Sequence, residues 1–107
     1  MASGKLGKAL LVANQWTLLY KVPQGCEACF NINAVNVGTT QAKVYLAITD
    51  SGASSVLPKD YIEAGQPLDT SGVLERTGLV CQEGEGVYAF SDKADVAVRV
   101  HGFEDTL

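Results

Sequence analysis

Three cysteines, one histidine and a few clustered acids carry whatever chemistry this chain can do. Cys26-Glu27-Ala28-Cys29 has the spacing of a redox dithiol or of half a zinc site. A redox pair of this spacing sits at a helix start, where the dipole lowers the thiol pKa. Here the pair opens an alternating, strand-type segment. Residues three apart in an extended chain point to opposite faces and lie about 10 Å apart, beyond disulfide reach. A zinc site needs two more ligands, and only Cys81 and His101 remain. The expectation is therefore three reduced cysteines, some of them small core residues.

His101 is the single histidine, and no nucleophile-elbow pattern accompanies it. It falls on the outward side of the last strand pattern. Glu83 with Glu85, and Asp92 with Asp95, are acid pairs in turn segments. Paired catalytic carboxylates need an apolar wall to split their pKa values, and solvated turns supply none. No ordered calcium-loop ladder is present. Trp16, Tyr20, Tyr45, Tyr61 and Tyr88 are of the type that builds a sugar-binding platform. Most of them lie inside strand patterns, where core and cross-strand packing is the plainer use. The residues point to a non-enzymatic protein with no cofactor and no metal.

The elements that would position these residues read as strands. At 107 residues the chain is one domain by length and large enough for a modest core. Hydrophobic residues make up 47% and charged residues 19%, which argues against disorder. No apolar run approaches the roughly 20 residues of a membrane helix. The start, Met1 to Lys8, lacks an export-signal pattern. Before Glu27 the chain holds Lys5, Lys8 and Lys21 and no acid; the other five basic residues and all twelve acids follow. An acidic body of net charge -4 argues against nucleic acid as a partner, because phosphate contacts need clustered Lys and Arg.

Residues 1–7, with Gly4 and Gly7, read as a flexible N-terminal arm. Lys8 to Val12 reads as a short strand or a single helical turn. Trp16 to Val22 is an apolar, aromatic strand closed by the Pro23-Gln24-Gly25 turn. Ala28, Phe30, Ile32 and Ala34 face one way and Glu27, Cys29, Asn31 and Asn33 the other. The apolar phase then moves to Val35 and Val37, which predicts a bulge near Ala34-Val35. Lys43 to Asp50 alternates again, with Val44, Leu46 and Ile48 inward, and Gly38-Thr39-Thr40 predicts a hairpin joining it to the preceding strand. Asp60 to Ala64 reads as a short edge strand, and Gly65 to Gly72 as a loop. Val73 to Cys81 is a strand with a bulge at Gly78. Val87 to Ser91 and Val96 to Phe103 are the last two. The fold class is all-β, a single-domain antiparallel β-sandwich of about seven or eight strands, jelly-roll or Ig-like, over residues 8–105, with a tail at 106–107.

Several blocks then stand in a familiar order: "LLYKVP" at Leu18 to Pro23, "NINAVNVGTTQAKVYLAITD" at Asn31 to Asp50, and "DYIE" at Asp60 to Glu63. They are followed by "GVLERTGLV" at Gly72 to Val80 and "ADVAVRVHGFED" at Ala94 to Asp105. The series, from Leu18 to Asp105, resembles small β-sandwich structural proteins in the virions of tailed bacteriophages. The "GVLERTG" and terminal "V-x-V-x-G-F-E" blocks are its most specific parts, and the Cys26–Cys29 segment departs from it. The resemblance implies a head decoration (cement) protein or a tail-, neck- or fibre-associated component without enzymatic activity. It implies synthesis in a host cytoplasm and residence on the virion, at the capsid surface in the first case. The implied partner is the major capsid protein or another virion protein, with no nucleic acid and no membrane, and a trimer or dimer suits the symmetry. The expected docking elements are the arm, through Lys5, Leu6 and Lys8, and the edge strand, through Asp60, Tyr61, Ile62 and Glu63. A carbohydrate-binding sandwich using Trp16 or Tyr61 is the reading from a different class.

Overall fold

A computed structural model describes residues 3–106. They form eight β-strands: β1 (Ser3–Leu10), β2 (Thr17–Lys21), β3 (Cys26–Asn36), β4 (Ala42–Thr49), β5 (Tyr61–Leu68), β6 (Val73–Cys81), β7 (Gly86–Ser91) and β8 (Val96–Thr106). A 3-10 turn at Pro58–Asp60 precedes β5. The strands make two antiparallel sheets, ordered β1-β8-β3-β6 and β2-β7-β4-β5. Almost every connection crosses from one sheet to the other, and this order is the wiring of an eight-stranded jelly roll.

The core lies between the sheets. Alternation sends Ala28, Phe30, Ile32 and Ala34 of β3, and Val96, Val98 and Val100 of β8, against Val44, Leu46, Val87 and Ala89 of the facing sheet. Each of these side chains is almost fully removed from water, so the hydrophobic drive is spread over both inner faces.

Four expectations are corrected. β3 and β4 do not form a hairpin; they lie in different sheets, and β3 pairs with β8 and β6. Alternation marks which face of a strand is apolar, and two apolar faces fit equally well side by side or across a core. β3 carries no bulge near Ala34-Val35: its register with β8 runs unbroken from Cys26 to Asn36. The inward position after Ala34 is taken by Asn36, which is buried because its polar atoms are all used. Its Nδ2 donates to the Thr40 and Leu68 carbonyls, and its Oδ1 accepts from the Gly38 N–H.

The flexible-arm reading of 1–7 is corrected from Ser3 onward, where the chain is edge strand β1 paired to β8. Gly7 serves close approach rather than looseness. A Cβ placed there would lie 2.0 Å from the Leu19 carbonyl oxygen of β2, where the two sheets meet at a corner. Leu6 is the extra residue of a bulge between Lys5 and Gly7 and packs against the core. Met1, Ala2 and Leu107 lie outside the described residues, and Thr106, expected in a tail, ends β8.

Finally, β5 continues through the expected Gly65–Gly72 loop as far as Leu68. Gly65, at φ +71°, forms a bulge opposite Tyr45, and Pro67 is tolerated because β5 is an edge strand. The bulge at Gly78 is as expected: Thr77 and Gly78 together oppose Asn31, whose Oδ1 accepts the Gly78 N–H.

Candidate functional site

Cys26, Cys29 and Cys81 are free thiols. Cys26 packs at the margin of the core, whereas Cys29 is on the outward-facing phase of β3. Cys81 is fully buried opposite Ala28. Burial, aided by the nearby Glu85 carboxylate, pushes its thiol up to about 12, which removes thiolate character at neutral pH. Among the described residues no three His, Cys, Asp or Glu side chains come together as a metal-binding group.

The turn acids bind backbone. Glu83 Oε2 accepts from the Gly25 N–H, Glu85 Oε1 from the Gln82 N–H and Asp92 Oδ1 from the Lys43 N–H. Glu85 closes its own turn, and Glu83 and Asp92 tie their turns to distant backbone, each through a charge-assisted hydrogen bond. His101 is half-buried on the outer face of the β1-β8-β3-β6 sheet, between Lys5 and Asn31 in register.

The aromatics separate into two sets. Tyr20 is in the core, edge-on to Phe30, and its hydroxyl donates to Glu104 Oε2 at 2.6 Å. Burial and that carboxylate both hold the Tyr20 proton on, raising its pKa. Trp16, Tyr45 and Tyr61 meet on the outer side of the β2-β7-β4-β5 sheet, joined by Phe90. Their ring centroids lie 5.4 to 6.4 Å apart, all in tilted or edge-on contacts. The four rings line a shallow surface hollow. Phe90 is the member that sequence reasoning missed; its place two residues after Tyr88 on one strand phase was the available clue.

The expected docking residues divide in the same way. Lys5 and Lys8 are exposed on β1. Asp60 is no strand residue: its Oδ2 accepts the Leu57 N–H and closes the 3-10 turn. Tyr61 belongs to the aromatic cluster, and Ile62 packs against the core. Glu63 is buried and ion-paired with Arg76 of β6, and its Oε1 makes no other hydrogen bond. The side chains of Asp60, Ile62 and Glu63 thus serve the fold, and β5 offers its backbone at the sheet edge.

The outer face of the β1-β8-β3-β6 sheet is patterned in rows across the strands. Leu10, Ala97, Val35 and Val73 stand side by side in register, and Leu10 and Val73 are 59% and 54% exposed. Two residues along, the row is Lys8, Arg99, Asn33 and Glu75. At the far end Phe103, Cys29 and Val80 form a second apolar row, with Phe103 and Val80 46% and 65% exposed. Two apolar rows thus flank a polar band. Sequence reasoning missed them because a row takes one residue from each strand, and only the pairing order brings these together.

What the chain can do chemically is offer two patterned, rigid outer faces: one of aligned apolar and charged rows, one of clustered aromatic rings. Both belong to an eight-stranded jelly-roll sandwich. No family model matches the chain, and neither a curated protein nor a solved structure matches it.

Proposed function

We propose that this chain is a non-enzymatic virion structural protein, a capsid decoration protein that binds assembled capsid and stabilises it. The observation that carries a contact role is the outer face of the β1-β8-β3-β6 sheet. It leaves the large apolar side chains of Leu10, Val73, Val80 and Phe103 about half exposed or more, in aligned rows on a stiff sheet. Exposed apolar patches of this kind mark interaction surfaces. The choice of a virion rests on the resemblance of the "GVLERTG" and "VAVRVHGFE" blocks, and the jelly roll agrees with it as fold-level analogy, being recurrent in capsid proteins.

Electron microscopy of virions carrying this protein, with gold-labelled antibody against it, is the test. Label in many copies over the head is the expected result. Label confined to tail, neck or fibres moves the protein to the tail-associated alternative. Unlabelled particles overturn the virion reading.

A second reading, carbohydrate binding, is favoured by the hollow among Trp16, Tyr45, Tyr61 and Phe90. Aromatic faces suit the apolar side of a sugar ring. On this reading a glycan panel gives at least one ligand whose binding is lost in Trp16→Ala with folding intact. A panel without a hit rejects it.

A further inference from the structure

We propose that two copies of this chain pack face to face through the outer side of the β1-β8-β3-β6 sheet, about a two-fold axis that runs parallel to the strands between β8 and β3. The inference does not need the virion reading, and it takes the same face that reading gives to the capsid, so a dimer formed this way competes with capsid for it; its test reads the oligomeric state alone. It rests on how the rows of that face map onto themselves.

A two-fold axis in the interface and along the strands reverses the strand order but keeps each row opposite itself. β1 then lies over β6 of the mate, and β8 over its β3. The Leu10–Ala97–Val35–Val73 row meets the same row of the mate, so exposed leucine and valine cover each other. In the polar band, Lys8 comes opposite Glu75 of the mate and Arg99 opposite Asn33. Lys8, Arg99 and Glu75 are all exposed in the single chain. Symmetry makes the Lys8–Glu75 contact twice. The Phe103–Cys29–Val80 row also meets itself.

The competing two-fold, across the strands, fails on charge. It keeps the strand order and, centred between the two apolar rows, places Lys8 over Lys5 of the mate, cation against cation. Isologous interfaces require self-complementarity, and only the first axis supplies it. Four strands spaced ~4.8 Å apart, over a length of about 25 Å, give a footprint on the order of 500 Å² before side-chain relief is counted. Per partner that is below the roughly 800 Å² of a standard stable interface, so the dimer is weak and depends on concentration.

Sedimentation and light scattering of the purified chain over a dilution series are the test. A dimer is expected at the concentrated end. Glu75→Lys and Lys8→Glu each weaken it on the order of tenfold, because two attractions become two repulsions. The double variant Lys8→Glu/Glu75→Lys recovers affinity, and Val73→Asp abolishes the dimer. Circular dichroism of each variant guards against misfolding, which solvent-facing sites should not provoke. A chain that stays monomeric throughout overturns the proposal. So does a dimer indifferent to both charge reversals, or one that the double variant fails to restore.

Discussion

Cys81 and Tyr20 make folding sensitive to alkali. Both sit in the core with their protons held on, Cys81 by burial and the Glu85 charge, Tyr20 by burial and its bond to Glu104. A raised folded-state pKa means that the folded form keeps a proton the unfolded form gives up. The associated stability is fully present below the thiol's ordinary value of 9.0 and is lost as pH rises toward about 12. Urea unfolding at about pH 8 and about pH 10.5 should differ by on the order of 2 kcal/mol from Cys81 alone. Cys81→Ala should flatten that difference, and at about pH 8 it should lower stability through the lost packing. In the native protein Cys81 should resist alkylation, and mass spectrometry should find it modified only after unfolding.

At the scale of the element, β1 shows how a strand is placed by the residue it lacks. Gly7 leaves room for the Leu19 carbonyl of β2, and a methyl group there collides with backbone that cannot swing aside. Gly7→Ala should cost about 2 kcal/mol or more in denaturant unfolding, whereas an alanine in a merely loose arm would cost nothing. β8 offers a cleaner test of facing. Val98 is buried and Arg99, the next residue, is exposed. Val98→Asp should unfold the domain, because an unpaired buried charge costs several kcal/mol, and Arg99→Asp should leave the monomer's thermal melt nearly unchanged. Equal melts would put the two residues on the same side of the sheet.

At the scale of the whole molecule, the two sheets are tied at one open side by a contact between edge strands. Glu63 of β5 belongs to one sheet and Arg76 of β6 to the other, and the pair spans the sandwich. Glu63 is buried while Arg76 is about half exposed, so water screens the cation more than the anion. Arg76→Ala strands the carboxylate and should cost about 2 kcal/mol, less than a fully buried pair would lose. Glu63→Leu/Arg76→Leu should return most of it, since apolar groups of similar size often replace such pairs without loss. Chemical denaturation of the three proteins measures both effects. A double variant no better than Arg76→Ala would mean that the strands are held by the charges rather than by the filled space.

The amino-acid order alone carried an all-β sandwich, the inward faces of β3, β4 and β8, the bulge at Gly78 and the edge character of β5. These are local properties: alternation with period two records burial, and Gly and Pro record where the ladder must yield. It also excluded a C-x-x-C disulfide within one strand, from strand geometry alone. The tertiary structure decided what depends on neighbours. Asn36 turns inward because Thr40, Leu68 and Gly38 supply its partners, and Glu63 is buried because Arg76 lies on the edge strand of the opposite sheet. β3 pairs with β8, not β4, because chain connections in this fold cross the core, and alternation is blind to which strand lies alongside. The outward rows and the Trp16–Phe90 cluster came from the same source, because residues far apart in the chain become a surface only once strand order and register are set.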